Sequence, residues 1–110
     1  MSTQFFQTWP DPAEVADNVY KLLLENDRVR VFDVRFKPGE VAKMHRHPDH
    51  VVYILEDAKL QLALPNDQTN TFDLKAGQTL FIEAGPHETT NIGTREAHNL
   101  VIELKGQRGI

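Results

Sequence analysis

His45, His47 and His50 fall within six residues, directly after a Pro38-Gly39 turn and directly before the apolar run Val51-Val52-Tyr53-Ile54-Leu55. Side chains alternate between the faces of an extended chain, so His45 and His47 project from one side, as two imidazoles gripping a divalent cation must. The cluster makes a metal site the leading reading. The competing reading is that these are polar residues beside a Pro-Gly turn, facing solvent from a strand edge.

Strands must carry such a site, and the pattern supplies them. From Val19 onward, strand-length segments alternate with turn chemistry, which predicts an all-β sandwich or barrel. Val19 to Leu24 leads through Glu25-Asn26-Asp27 into Val29 to Lys37, a hairpin whose buried face holds Phe32, Val34 and Phe36. Lys37-Pro38-Gly39-Glu40 turns the chain into a strand that bears all three histidines and runs to Leu55. Leu60, Leu62 and Leu64 share a face of the next strand, and Pro65-Asn66-Asp67-Gln68 closes a hairpin onto Thr71 to Leu74. Leu80 and Ile82 then point one way, Glu83-Ala84-Gly85-Pro86 delivers His87, and a last strand runs from about Ala97 to Leu104. There Leu100, Ile102 and Leu104 share a face, and His98 shares their parity, so it is expected to look inward.

The divisions that follow are an N-terminal arm over 1–18, a barrel over 19–104 and a C-terminal tail over 105–110 that is expected to fray. In the arm, Asp11 suits a helix cap, Pro12 the first helical position and Glu14 the rest of a capping pattern, predicting about one helical turn.

Composition narrows the function. A chain of 110 residues with 40% apolar and 25% charged content is ordinary for one globular domain. A net charge of −4 with interspersed signs offers no footprint for a phosphate backbone, so nucleic acid is not an expected partner. With no cysteine there are no disulfides, thiolate ligands or thiol nucleophiles, which fits a reducing compartment. The opening residues lack the cationic start and apolar stretch of a signal peptide, and no apolar run approaches the roughly 20 residues of a membrane span. A soluble cytoplasmic protein is the expectation.

Gly39-Glu-Val-Ala-Lys-Met-His45-Arg-His47 with the Val-Val-Tyr-Ile-Leu-Glu that follows, and later Gly77 and Gly85-Pro-His87-Glu-Thr-Thr-Asn91, resemble the two signature motifs of the cupin family. The resemblance spans roughly Val19 to Leu104. It implies a double-stranded β-helix, or jelly-roll barrel, holding a metal on histidines and an acidic residue of the first motif and a histidine of the second. More narrowly, His-x-His-Pro-Asp-His-Val-Val-Tyr and the Trp-Pro-Asp-Pro arm look like small single-domain bacterial cupins, some named for β-alanine degradation. Where that family usually has its metal-binding glutamate, this chain has His50; where the second motif usually has a proline before Ala-Gly, it has Glu83.

On this resemblance the expected ligands are His45, His47, His50 and His87, around a divalent transition metal, Fe, Ni, Zn or Mn. Four neutral donors would leave the ion's charge uncompensated and favour an anionic ligand. An octahedral ion would keep two positions for water, a small acid or dioxygen, whereas a tetrahedral one would be saturated. The cavity above is expected to be lined by Val52, Ile54, Leu60, Leu62, Leu80 and Ile82, with His98 in contact with substrate or with a ligand rather than with the ion. Glu83 is expected to point outward with Phe81, and Glu56 to meet solvent. Phe5, Phe6 and Trp9 form an aromatic arm suited to crossing to a second subunit, which predicts a homodimer. The resulting expectation is a metal-binding barrel acting on a small molecule, as a mononuclear non-haem oxygenase of a small organic acid. The alternatives are a non-catalytic binding or sensing module and a Lewis-acid isomerase or hydrolase.

Overall fold

The computed structural model describes residues 9–106, and among these turn residues cut the chain into one short helix and nine strands. The elements are α1 (Pro12–Val15), β1 (Tyr20–Glu25), β2 (Val29–Phe36), β3 (Val41–His47), β4 (His50–Ile54), β5 (Ala58–Ala63), β6 (Thr69–Leu74), β7 (Thr79–Ile82), β8 (Gly85–Asn91) and β9 (Ala97–Leu104). They form a five-stranded sheet in the order β1-β2-β9-β4-β7 and a four-stranded sheet in the order β3-β8-β5-β6, with every pairing antiparallel. Gly39 and Gly77, at φ +83 and +90, take the left-handed conformation their turns require.

The single strand expected to carry all three histidines is two strands in opposite sheets. Pro48 has no N–H to give to a ladder, so pairing stops after His47 and resumes at His50. Asp49 pins the corner: its carboxylate accepts from Ala84 N at 2.8 Å and its carbonyl from Leu104 N at 3.0 Å. This corner allows histidines five residues apart in sequence to face each other across the barrel.

The core lies between the sheets, where Phe32, Val34 and Phe36 of β2 meet Val52 and Ile54 of β4, Leu60, Leu74 and Val101. Each such large apolar side chain contributes about 1.5–3 kcal/mol through burial. The segment before β1 joins this core. Asp11 caps α1 by accepting from Ala13 N at 3.2 Å, Pro12 opens the helix, and Pro12 and Ala16 are buried.

Three expectations about the ends need adjustment. Ala16 is buried in the core and Ala13 packs against it, so this part of the expected arm lies on the barrel. Arg46 Nε donates to Trp9 O at 2.9 Å and Arg46 N to Pro10 O at 3.0 Å, so the described end of the arm docks on its own β3. Phe5 and Phe6 lie outside the described residues. Lys105 is held by Arg28 O and Glu25, so the barrel's bonding outlasts Leu104 by one residue; residues 107–110 lie outside the description.

The phase of β9 is the opposite of that expected. Ala97, Asn99, Val101 and Glu103 are buried, while His98, Leu100, Ile102 and Leu104 form the half-buried outer face. Leu-Val-Ile is apolar on both parities, and period-2 reasoning cannot phase such a run. Pairing decides it: His50, whose ring is buried, lies opposite Glu103, and directly opposed residues share a face.

Candidate metal centre

Four imidazoles converge from three strands. In β3 the register slips between Ala42 and His45, a bulge that turns both residues inward although three positions separate them. His87 of β8 sits directly opposite His45, with ring centroids 5.0 Å apart. Ligand atoms of His45, His47 and His87 lie within 4.8 Å of one another, close enough to hold a metal ion. His50, from the other sheet, stands beside this triad, its ring centroid 4.3 Å from that of His47 and 6.2 Å from that of His87.

Hydrogen bonds select the tautomers. His45 Nδ1 lies 2.6 Å from Lys43 O and His50 Nδ1 lies 2.8 Å from Pro48 O; a carbonyl only accepts, so both rings carry their proton on Nδ1. His47 Nδ1 donates to Glu103 Oε2 at 2.6 Å. Three Nε2 atoms are thereby left as bare lone pairs. Those of His45 and His47 face each other at 3.0 Å, a contact that needs a cation between them or a proton on one. Burial pushes the proton affinity of all four rings down, furthest at His47 and His87, where neighbouring histidines add to the effect. A proton is disfavoured there, and the donor set fits a metal: two nitrogens about 2.1 Å from one ion at right angles stand about 3.0 Å apart.

The cupin domain family model matches residues 32–103, from β2 to the penultimate residue of β9. The chain belongs to the cupin family. Over 84 residues this cupin is 36% identical to the β-alanine degradation protein BauB of Pseudomonas aeruginosa, covering 74% of this chain and 87% of that protein. A crystal structure of a cupin domain from Bordetella pertussis superposes with a TM-score of 0.75 at 30% identity, covering 80% of this chain and 93% of that one. The fold is therefore the double-stranded β-helix. The polyketide cyclase RemF of Streptomyces resistomycificus shares it with a TM-score of 0.59 at 22% identity, over 79% of this chain and 64% of that one. A fold common to proteins so named does not select a reaction.

Two residues of this cupin's site escaped the sequence reading. Glu103, 2% exposed, accepts from His47 and, through Oε1, from Arg30 Nε at 3.0 Å and Nη2 at 2.8 Å. Burial raises its carboxyl above the ordinary range, against the pull of Arg30's hydrogen bonds and charge. Arg30 in turn forks onto both oxygens of Asp11, the helix cap, so a charged chain runs from α1 to His47. The negative charge missing at position 50 thus stands one hydrogen bond behind a histidine. Tyr20 is the second: its buried hydroxyl donates to His47 Nε2 at 3.1 Å, and its ring meets Phe32 and His45 edge-on. A glutamate interrupting an apolar strand was the available signal for Glu103; nothing in the sequence singled out Tyr20.

Beside the histidines lies a cavity of about 70 Å³ whose lining includes Val52, Leu60, Leu62, Leu80 and Ile82, together with Tyr20, His50, His87 and Asn99. Ile54 is buried in the core and is not among the lining side chains. His98 is not at the site. It points to the opposite face of β9 and donates through Nε2 to Asp33 Oδ1 at 2.6 Å. Glu83 and Glu56 are exposed. Among the described residues no helix is long and apolar enough to cross a membrane.

Proposed function

We propose that this cupin holds a divalent transition ion, Fe, Ni, Zn or Mn, on His45, His47, His50 and His87, and acts as a mononuclear non-haem oxygenase of a small organic acid. The observation that carries the metal is the pair of Nε2 atoms of His45 and His47 facing each other at 3.0 Å in a buried site, each ring's Nδ1 being engaged by an oxygen. When bound, the ion would supply a Lewis-acidic centre, redox-capable where it is Fe, Ni or Mn. The chain supplies the rest: Lys43 O, Pro48 O and Glu103 lock the ring orientations, Arg30 holds Glu103, and the apolar walls exclude bulk water. A small acid suits the cavity's size, and the name of the Pseudomonas relative points toward the metabolism of a small amino acid.

A second reading is a non-catalytic binding or sensing module. It is favoured by the cavity lining, in which no carboxylate or lysine stands ready as a proton acceptor. Elemental analysis of protein purified without added nickel, then anaerobic Fe(II) loading and oxygen-uptake assays across small acids, separates the two. Uptake dependent on Fe(II) and one acid is expected; tight zinc with no uptake under any acid would leave the binder.

The proposal includes a cytoplasmic homodimer. Its support is the outer face of the five-stranded sheet, where Leu24, Val31, Ile102, Val51 and Phe81 are cross-strand neighbours in one apolar row over all five strands. Leu24 and Phe81, at its ends, are 52% and 60% exposed. A row of that length on a sheet face is the kind of surface a second copy covers.

A further inference from the structure

His47 Nε2 has two close polar neighbours, His45 Nε2 at 3.0 Å and the Tyr20 hydroxyl oxygen at 3.1 Å. Donors about 2.1 Å from one ion and at right angles stand about 3.0 Å apart, so both spacings suit an ion seated on His47 with His45 and Tyr20 beside it. The Tyr20 ring lies 5.5 Å from that of His45 and 5.6 Å from that of His47, centroid to centroid. Its place is fixed from behind. Tyr20 N donates to Ala16 O at 2.9 Å, its backbone pairs with Val34, and its ring packs edge-on against Phe32 at 5.3 Å. It is the one buried residue of β1. Among the described residues, the hydroxyl's hydrogen-bond acceptor is the His47 lone pair. An ion that takes this lone pair leaves a buried hydroxyl without it, in a cavity walled mainly by apolar side chains such as Val52, Leu80 and Val101. The ion is then the partner nearest to hand.

We propose that Tyr20 is a further ligand to the ion, binding through its oxygen as a phenolate. The inference rests on the metal reading above and adds a donor to it. On binding, the O–H bond breaks as the oxygen–metal bond forms, the proton passes to solvent, and no oxidation state changes. Charge favours the step. The four imidazoles are neutral, so a buried divalent ion on them alone has no negative charge in contact with it, and the phenolate supplies one. In the metal-free chain, burial and then the charge of Glu103 push the phenol's proton affinity up, so Tyr20 keeps its proton until an ion removes it. An anionic oxygen suits the harder ions, iron and manganese, better than nickel. Tyr20 lies outside the stretch matched by the family model, residues 32–103, so this ligand comes from the chain's own β1.

The test uses the full chain loaded with Fe(II) under nitrogen and then oxidised with ferricyanide, bound ferric iron being counted by elemental analysis and electron paramagnetic resonance. A phenolate on ferric iron gives an intense visible charge-transfer band, which imidazole and water do not, and Raman excitation within that band enhances tyrosine ring vibrations. The chain has two tyrosines, and Tyr53 is 39% exposed on the opposite face of β4 from His50. Tyr53→Phe, which leaves Tyr20 as the sole tyrosine, should keep the band at full strength. Tyr20→Phe should abolish it while iron still binds the histidines. The Tyr53→Phe result assigns the band however well Tyr20→Phe folds. Ferric protein without the band, a band that survives Tyr20→Phe or disappears in Tyr53→Phe, or bound iron that stays ferrous would each overturn the proposal while the metal reading stands. Failure of the unmutated protein to bind iron would overturn this inference, and failure to bind any of Fe, Ni, Zn and Mn would overturn the metal reading with it.

Discussion

The inner and outer faces of β9 reverse the usual distribution of polarity. Inward lie Asn99 and Glu103, buried in the barrel; outward lie Leu100, Ile102 and Leu104, only half-buried. A core strand ordinarily hides its leucines, and burying a carboxylate and an amide costs free energy unless each is bonded. Glu103 is fully employed, by His47 and Arg30, whereas Asn99 Oδ1 is not. Glu103 on the inner face supports the candidate site through His47, and the apolar outer face stays half-open in the single chain. Alternation of leucines therefore does not by itself mark the face that the single chain buries.

The largest test of that contrast is Glu103→Leu. It leaves Arg30, a partly buried cation, with Asp11 alone, and should cost about 3–5 kcal/mol in denaturant unfolding while also lowering metal affinity. A change under about 1 kcal/mol would show that Glu103 is ordinary packing. Stripping the ion comes next: at free metal a hundredfold above Kd, chelation should remove about 2.7 kcal/mol, read as a lower Tm. An unchanged Tm across a chelator titration would count against a folded-state metal site.

Acid should act on the inner face through the metal-free histidines. Burial lowers the proton affinity of His45, His47, His50 and His87, so below about pH 6.5 the unfolded chain takes up protons that the folded chain refuses. Stability of the metal-free protein should fall as pH drops through that value, by up to about 1.4 kcal/mol per pH unit for each ring that stays neutral, until the folded rings also protonate. A flat stability profile between pH 7 and 5 would mean that the folded rings take up protons as those of the unfolded chain do.

On the outer face the effects should be small and different in kind. His98→Ala removes a pair with Asp33 that is partly open to solvent; it should cost less than about 1 kcal/mol and leave metal stoichiometry unchanged. Loss of metal would restore His98 to the site. Phe81→Lys should change unfolding of the isolated chain by no more than about 0.5 kcal/mol, yet shift light-scattering mass from dimer to monomer. A dimer that persists would move the interface elsewhere.

Much of this architecture could be read from residues alone. Leu60 and Leu62, and Leu80 and Ile82, alternate with polar or exposed neighbours, and each takes the inward face that alternation predicts. Spacing and strand parity put His45 and His47 on one face, which is a local property; that His87 joins them came only from the resemblance to the cupin motifs. The failures have a common cause. In Leu100-Val101-Ile102 both parities are apolar, so the face of His98 and Glu103 depended on which neighbours β9 would meet. Tyr20 lay hidden because its role comes from contact with His47, 27 residues away.

Sequence by itself determined the all-β class, most of the turns and the local histidine cluster, because backbone geometry and side-chain period act over a few residues. Tertiary structure alone decided which sheet each histidine joins, that Pro48 and Asp49 send His50 to the opposite wall, and that a carboxylate from the last strand stands behind His47. Those outcomes follow from cross-strand register and shared burial, and a register exists only once distant segments have paired.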